Sequence, residues 1–165
     1  MGNGFVIKCE KCGFKHNYDI GIGFLYPEVC EDILNSMKLG NFGDELMRLA
    51  NTIPNVAVHQ CRAVFVCDDC GSWRVDDVID LCSPIAKKKR FMGLFRTKEE
   101  IHTDKPYVMD AEIGHFYKVI HSVERRCTCC QQKMRAVAED ETVKQKLKCP
   151  ECGEILTIED VYCWD

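Results

Sequence analysis

The segment Cys127-Thr128-Cys129-Cys130, followed after eighteen intervening residues by Cys149-Pro150-Glu151-Cys152-Gly153, carries the strongest pattern in the sequence. Two Cys-x-x-Cys pairs at that separation have the spacing of a four-thiolate metal site. Two intervening residues let the chain turn tightly enough for both sulfurs to face one ion. A second such knuckle supplies the other corners of a tetrahedron with metal–sulfur bonds of about 2.3 Å. Gly153 follows the last ligand, where such a turn favours positive φ. Gln131 stands at the equivalent place in the first knuckle. Cys127 and Cys130 match the spacing of the second knuckle, which leaves Cys129 as a spare thiol. The expectation is one ion held by Cys127, Cys130, Cys149 and Cys152.

Two more knuckles lie upstream, Cys9-Glu10-Lys11-Cys12-Gly13 and Cys67-Asp68-Asp69-Cys70-Gly71, with 54 residues between them. Val56, Val58, Val64, Phe65 and Val66 are strand formers leading into the second of these, and Trp73, Val75, Val78, Ile79 and Leu81 continue after it. We therefore expect Cys9, Cys12, Cys67 and Cys70 to share a second ion. A redox dithiol would need a thioredoxin-like βαβ context, and none follows either knuckle. Of the thirteen cysteines, Cys30, Cys61, Cys82, Cys129 and Cys163 fall outside the pairs. They are expected to behave as small buried hydrophobes.

Composition bounds the class. The chain has 165 residues, 46% hydrophobic and 29% charged, with a formal net charge of −4. That length suits one domain or two small ones. No apolar run approaches the roughly 20 residues that cross a bilayer. The start, Met1 to Val6, has no basic region followed by an apolar one, so a secretory signal is not expected. Many cysteines without a signal argue for metal ligands in a reducing cytoplasm rather than for disulfides. Each zinc with four thiolates makes the charge more negative by two, which disfavours indiscriminate phosphate binding by the whole surface.

Between the first two knuckles the pattern turns helical. Pro27 suits a helix start. Val29, Ile33, Leu34 and Met37 recur at helix spacing, and Gly40 suits a stop. Phe42, Leu46, Leu49 and Ile53 form a second stripe ended by Pro54. Met37 and Met47 read as core filler. The glycine-containing run Gly21 to Leu25 lacks a phosphate-cradle motif. Residues 84–110 read as a linker. Its basic loop 87–98, with Lys87-Lys88-Lys89-Arg90 beside Phe91 and Phe95, is either a solvated segment or a docking segment for nucleic acid or an acidic partner. Ile113, Phe116, Tyr117, Val119, Ile120 and Val123 lean towards a strand. Met134, Ala136 and Val137 are expected to form a hairpin with Ile155, Leu156 and Ile158, and Val161 to Trp164 to pack on it. His115 and His121 find no vacancy on ions already given four sulfurs. The segment 28–82 holds ten acidic and four basic residues, whereas 118–148 holds eight basic and four acidic, so the two present different fields.

The pair Cys127-x-x-Cys130 and Cys149-Pro150-x-Cys152-Gly153 resembles the zinc-ribbon superfamily. The knuckles Cys9-x-x-Cys12-Gly13 and Cys67-x-x-Cys70-Gly71 resemble those of rubredoxins, which hold iron and pass electrons. The whole chain is similar to small uncharacterised bacterial proteins with a zinc ribbon at each end. The resemblance implies an α+β fold of two small β-rich zinc-ribbon-like modules, the first with a helical insertion between its knuckles. The modules would be a rubredoxin-like zinc module at 1–83, a basic linker at 84–110 and a carboxyl-terminal zinc ribbon at 111–165.

No catalytic constellation is present in the sequence. Four thiolates close a zinc shell, which marks a structural site. The zinc deaminase signature would need proline before a knuckle, but Lys8, Val66, Arg126 and Lys148 precede the four. Asp68, Asp69, Asp76, Asp77 and Asp80 read as a solvated acidic face. The expectation is a non-enzymatic, cytoplasmic protein with two structural zinc ions, acting as an adaptor towards another protein and having no membrane contact. The alternative is a nucleic-acid binder using Lys118, Arg125, Arg126, Lys133, Arg135 and the basic loop. A third reading is electron transfer with iron in the first site. Oligomeric state is not legible.

Overall fold

Phe5, Ile7 and Cys9 alternate along an extended run. That spacing turns all three to one face, where they are buried to 2% exposure or less. The run forms β1 (Gly2–Lys8), the centre of a three-stranded antiparallel sheet. Its neighbours are β2 (Lys15–Ile20) and a late strand from the other end of the chain, Thr157–Trp164. Gly4 sits opposite Tyr162 in that register, and a Cβ at Gly4 would meet the Tyr162 ring at 2.1 Å. Only glycine lets the ring lie across the strand there.

The computed structural model describes residues 2–23, 27–85, 105–138, 141 and 146–164, and the basic loop 87–98 lies outside the described residues. The chain forms two compact units, each assembled from discontinuous stretches. The first comprises Met1–Leu25, Cys61–Val78 and Val123–Asp165; the second comprises Tyr26–Gln60 and Ile79–Ser122. These do not follow the expected boundaries at 83 and 110. The strands β3 (Ala57–Val66) and β4 (Trp73–Pro84) each contribute to both units. The fold is mixed α+β and mostly strand, with two α-helices among the described residues.

In the first unit, Phe5, Ile7, Tyr18, Ile20, Val64, Val66, Val137, Leu147 and Leu156 form one buried cluster together with Cys9 and Cys149. A smaller cluster joins Ala63, Phe65, Cys67, Cys127 and Met134. Strand β6 (Arg135–Val137) pairs antiparallel with β3, Val64 opposite Val137 and Val66 opposite Arg135; the Thr157–Trp164 strand is β7. The expected hairpin between the Met134–Val137 and Ile155–Ile158 regions is therefore replaced by two separate pairings, β6 on β3 and β7 on β1. The β6–β3 pairing sets Val137 opposite Val64, and both are buried in the same cluster.

In the second unit, α1 (Pro27–Lys38) and α2 (Asp44–Thr52) are the helical insertion expected between the first two knuckles. Pro27 has no amide hydrogen to waste at a first helical position. Glu28 and Lys38 complement the two ends of the helix dipole. The buried stripe is Cys30, Leu34 and Met37, at helix spacing. Val29, expected inside, is 43% exposed. The Asn51 side-chain amide of α2 donates to Lys38 O at 3.0 Å, which satisfies a carbonyl at the end of α1. Strand β5 (Tyr117–Ser122) pairs with β4, Pro84 opposite Tyr117 and Asp80 opposite Ser122. Ala57, Cys82, Val108 and Tyr117 are buried together beneath them. Among the described residues, no helix is long and apolar enough to cross a membrane.

Candidate metal centres

Each of the four knuckles closes with the same pair of backbone bonds. The amide of the first cysteine donates to the carbonyl five residues on: Cys9 to Phe14 at 2.8 Å, Cys67 to Ser72 at 2.8 Å, Cys127 to Gln132 at 2.8 Å and Cys149 to Glu154 at 2.7 Å. The amide four residues on returns to the first cysteine: Gly13 to Cys9, Gly71 to Cys67, Gln131 to Cys127 and Gly153 to Cys149, at 2.8–3.0 Å. That second donor sits at positive φ in every case, 79°, 72°, 62° and 76° in the same order. The local turn thus follows from the sequence with one substitution, glutamine for glycine.

What the local turn cannot settle is which knuckles meet. The structure brings Cys9, Cys12, Cys149 and Cys152 together in one group, and Cys67, Cys70, Cys127 and Cys130 in the other, with the ligand atoms of each group within 4.8 Å of one another. The expected grouping of Cys9 and Cys12 with Cys67 and Cys70, and of Cys127 and Cys130 with Cys149 and Cys152, is corrected accordingly. The first knuckle pairs with the last, and the second with the third. The strands are the cause. Strand β1 runs into Cys9 while β7 leaves the last knuckle, and Lys8 lies opposite Thr157. Strand β3 runs into Cys67, and its end, Val66, lies opposite Arg135, just after the third knuckle. Both groups lie in the first unit.

The dimensions fit a tetrahedral ion. Sulfurs about 2.3 Å from a metal stand about 3.8 Å apart. Here Cys9 and Cys152 Sγ are 3.4 Å apart and Cys12 and Cys149 Sγ 3.6 Å. In the other group Cys67 and Cys130 Sγ are 3.4 Å apart, Cys70 and Cys127 3.5 Å, and Cys70 and Cys130 3.7 Å. The two groups also repeat one burial pattern: the first cysteine of each knuckle is buried, and the second is exposed or half-buried. Each group could hold one metal ion.

The inner group in chain order, Cys67, Cys70, Cys127 and Cys130, has a further partner that the sequence reading missed; the outer group is Cys9, Cys12, Cys149 and Cys152. The Ser72 hydroxyl lies 2.9 Å from Cys127 Sγ and 3.1 Å from Cys70 Sγ. This hydroxyl, followed by the Cys130 backbone amide, lowers the Cys127 thiol to about 6. Ser72 is also the first cause of the lowered Cys70 thiol. In the outer group, the backbone amide of Cys12 is the first cause that lowers Cys9 to about 7. Lowering a thiol favours the thiolate, the form that binds metal.

The remaining expected residues fall elsewhere. Cys30 and Cys82 are buried, as expected, whereas Cys61 is half-buried and Cys129 and Cys163 are exposed. Burial pushes the Cys82 thiol up to about 11, which keeps it inert. His121 Nδ1 faces Glu45 at 3.9 Å, and neither His121 nor His115 joins a cysteine group. The cations expected to meet phosphate are largely answered by acids. Arg125 reaches Asp76 at 3.3 Å, Lys133 reaches Glu124 at 2.8 Å, Arg126 reaches Glu124 at 3.7 Å and Arg135 reaches Asp68 at 3.5 Å. Within the second unit, His59 lies between two carboxylates, with Nε2 2.5 Å from Asp110 and Nδ1 3.3 Å from Asp80. No spacing in the sequence marked that arrangement. No family model matches the chain, and no curated protein or solved structure matches it either.

Proposed function

We propose that the chain is a structural zinc protein whose two four-cysteine centres stabilise a small β-rich unit that serves as an adaptor, binding another protein without catalysing a reaction. The observation that carries this reading is the grouping of eight thiols into two closed sets. Four thiolates complete a zinc shell and leave no position for substrate, which is the pattern of a site that contributes folding energy. Zinc is preferred to iron because zinc is redox-silent and suits a site whose task is structural. Thirteen cysteines fit a reducing compartment such as the cytoplasm.

The test is metal quantification joined to partner capture. Two equivalents of zinc on colourless protein are expected. The zinc-loaded chain should hold a defined protein partner at raised salt, and the variant Cys12→Ser/Cys70→Ser should lose it. Red protein containing iron, or a partner retained equally by that variant, would contradict the reading.

A further inference from the structure

In the second unit, the His59 side chain of β3 is 5% exposed and has a carboxylate at each ring nitrogen. Nδ1 lies 3.3 Å from Asp80 of β4, which is itself buried. Nε2 lies 2.5 Å from Asp110, the first residue of the 3-10 turn Asp110–Glu112. A carboxylate can only accept, and a neutral imidazole has one N–H to give. Both contacts are hydrogen bonds at once only when both ring nitrogens carry protons. A neutral ring would aim a lone pair at one of the two carboxylates. The arrangement therefore requires an imidazolium, although an unperturbed histidine is mostly neutral at pH 7. Donation by His59 is also the first cause that holds the Asp110 carboxyl below its ordinary value.

The other titratable groups around the ring do not replace these two acceptors. Cys30 of α1 and Cys82 of β4 lie near enough to feel its charge, and burial pushes both thiols up, so both stay neutral. Glu112, on the same turn as Asp110, is held at both carboxylate oxygens by Lys105, each at 2.6 Å. None of these groups belongs to a candidate metal centre.

We propose that His59 is a pH-sensitive clasp, which as an imidazolium fastens the Asp110–Glu112 turn to β3 and β4 and releases it on losing a proton. Burial decides which contact goes. Asp80 is 8% exposed and cannot give up its donor cheaply, whereas the Asp110 side chain is 63% exposed and can turn to water. The last ring proton therefore stays with Asp80. The chain before the turn keeps its own ties, Val58 N to Pro106 O at 2.8 Å and Val108 N to Val58 O at 2.9 Å. Release is thus confined to the turn, whose bonds are Glu112 N to Met109 O at 2.9 Å and Ile113 N to Asp110 O at 3.2 Å. The sign follows from linkage: a ring that gains partners for its charged form on folding contributes stability that is lost as pH rises through its folded value. The clasp does not depend on the adaptor reading.

The experiment is nitrogen-15 NMR of the histidine rings in the zinc-loaded full chain, with His16 and His115 as controls. It runs from about pH 6 to 9, where thiolate ligands remain on zinc. At pH 7 both His59 ring nitrogens should carry the signal of a protonated nitrogen. Asp110→Asn keeps the shape and removes the charge. It should lower the midpoint of the His59 titration by about one pH unit or more and leave zinc content unaltered. In the wild type, amide exchange at Glu112 and Ile113 should rise about tenfold beyond its intrinsic pH dependence as His59 loses its proton, while that at Val108 follows the intrinsic dependence. A ring already neutral at pH 7, a midpoint unmoved by Asp110→Asn, or protection of Glu112 and Ile113 that stays level through the titration would each overturn the clasp.

Discussion

Gln131 adopts a backbone conformation that its three counterparts leave to glycine. Left-handed backbone costs an L-residue about 1–2 kcal/mol, partly offset because glycine loses more freedom on folding. Gln131→Gly should therefore raise stability by about 0.5–1 kcal/mol, and Gly153→Ala should lower it by about 1 kcal/mol. The second cost is one of backbone alone, since a Cβ at Gly153 meets nothing within 4 Å. Thermal melting at saturating zinc checks both signs. A second residue-scale test concerns Asp110. Donation by His59 holds its carboxyl below the ordinary 3.8. A carboxyl lowered on folding contributes stability that is present above its unfolded value and is lost as pH falls through its folded value. The wild type should thus lose stability relative to Asp110→Asn as pH drops below about 3.8. Parallel pH curves for the two would show that the His59 contact carries no such linkage.

At the scale of elements, Ser72 follows its knuckle and reaches two sulfurs of the inner group. Groups that hydrogen-bond a metal's ligands tune its affinity about 10- to 100-fold. Ser72→Ala should weaken metal retention by the inner group within that range and leave the outer group unaffected, as read by competition with a chelator. Equal loss from both would assign Ser72 a general role in folding. Both α-helices were legible from their apolar stripes, although α1 buries Cys30 where Val29 was expected, because free cysteine behaves as a hydrophobe. The strands around Val64 and Trp73 were legible from their β-branched and aromatic residues. The partners of the late strands were not. Residues 135–137 and 157–164 have the composition of hairpin strands, and composition does not say which edge a strand will join. His59 with Asp80 and Asp110 was equally illegible. It joins residues remote in sequence whose spacing follows no rule.

For the molecule as a whole, four knuckles of identical local form can be joined in three ways, and spacing favoured neighbours. The observed nesting, outermost with outermost, follows from β1 pairing with β7 and β3 with β6. The eight candidate ligands were readable because a Cys-x-x-Cys turn is local; their grouping was not, because it is a property of the sheets. Removing metal should strip the first unit of its two fixed points, since metal binding at such sites is folding free energy. A strong chelator is expected to abolish amide protection around Phe5, Ile7 and Val64, and zinc should restore it. Protection unchanged without metal would mean that the buried clusters suffice.

The most direct test compares two double variants by metal content. Nested pairing places Cys12 and Cys152 on one ion and Cys12 and Cys70 on different ions. Cys12→Ser/Cys152→Ser should therefore retain one equivalent of metal, and Cys12→Ser/Cys70→Ser should retain none. The reverse outcome, one equivalent kept by Cys12→Ser/Cys70→Ser and none by Cys12→Ser/Cys152→Ser, would contradict the account.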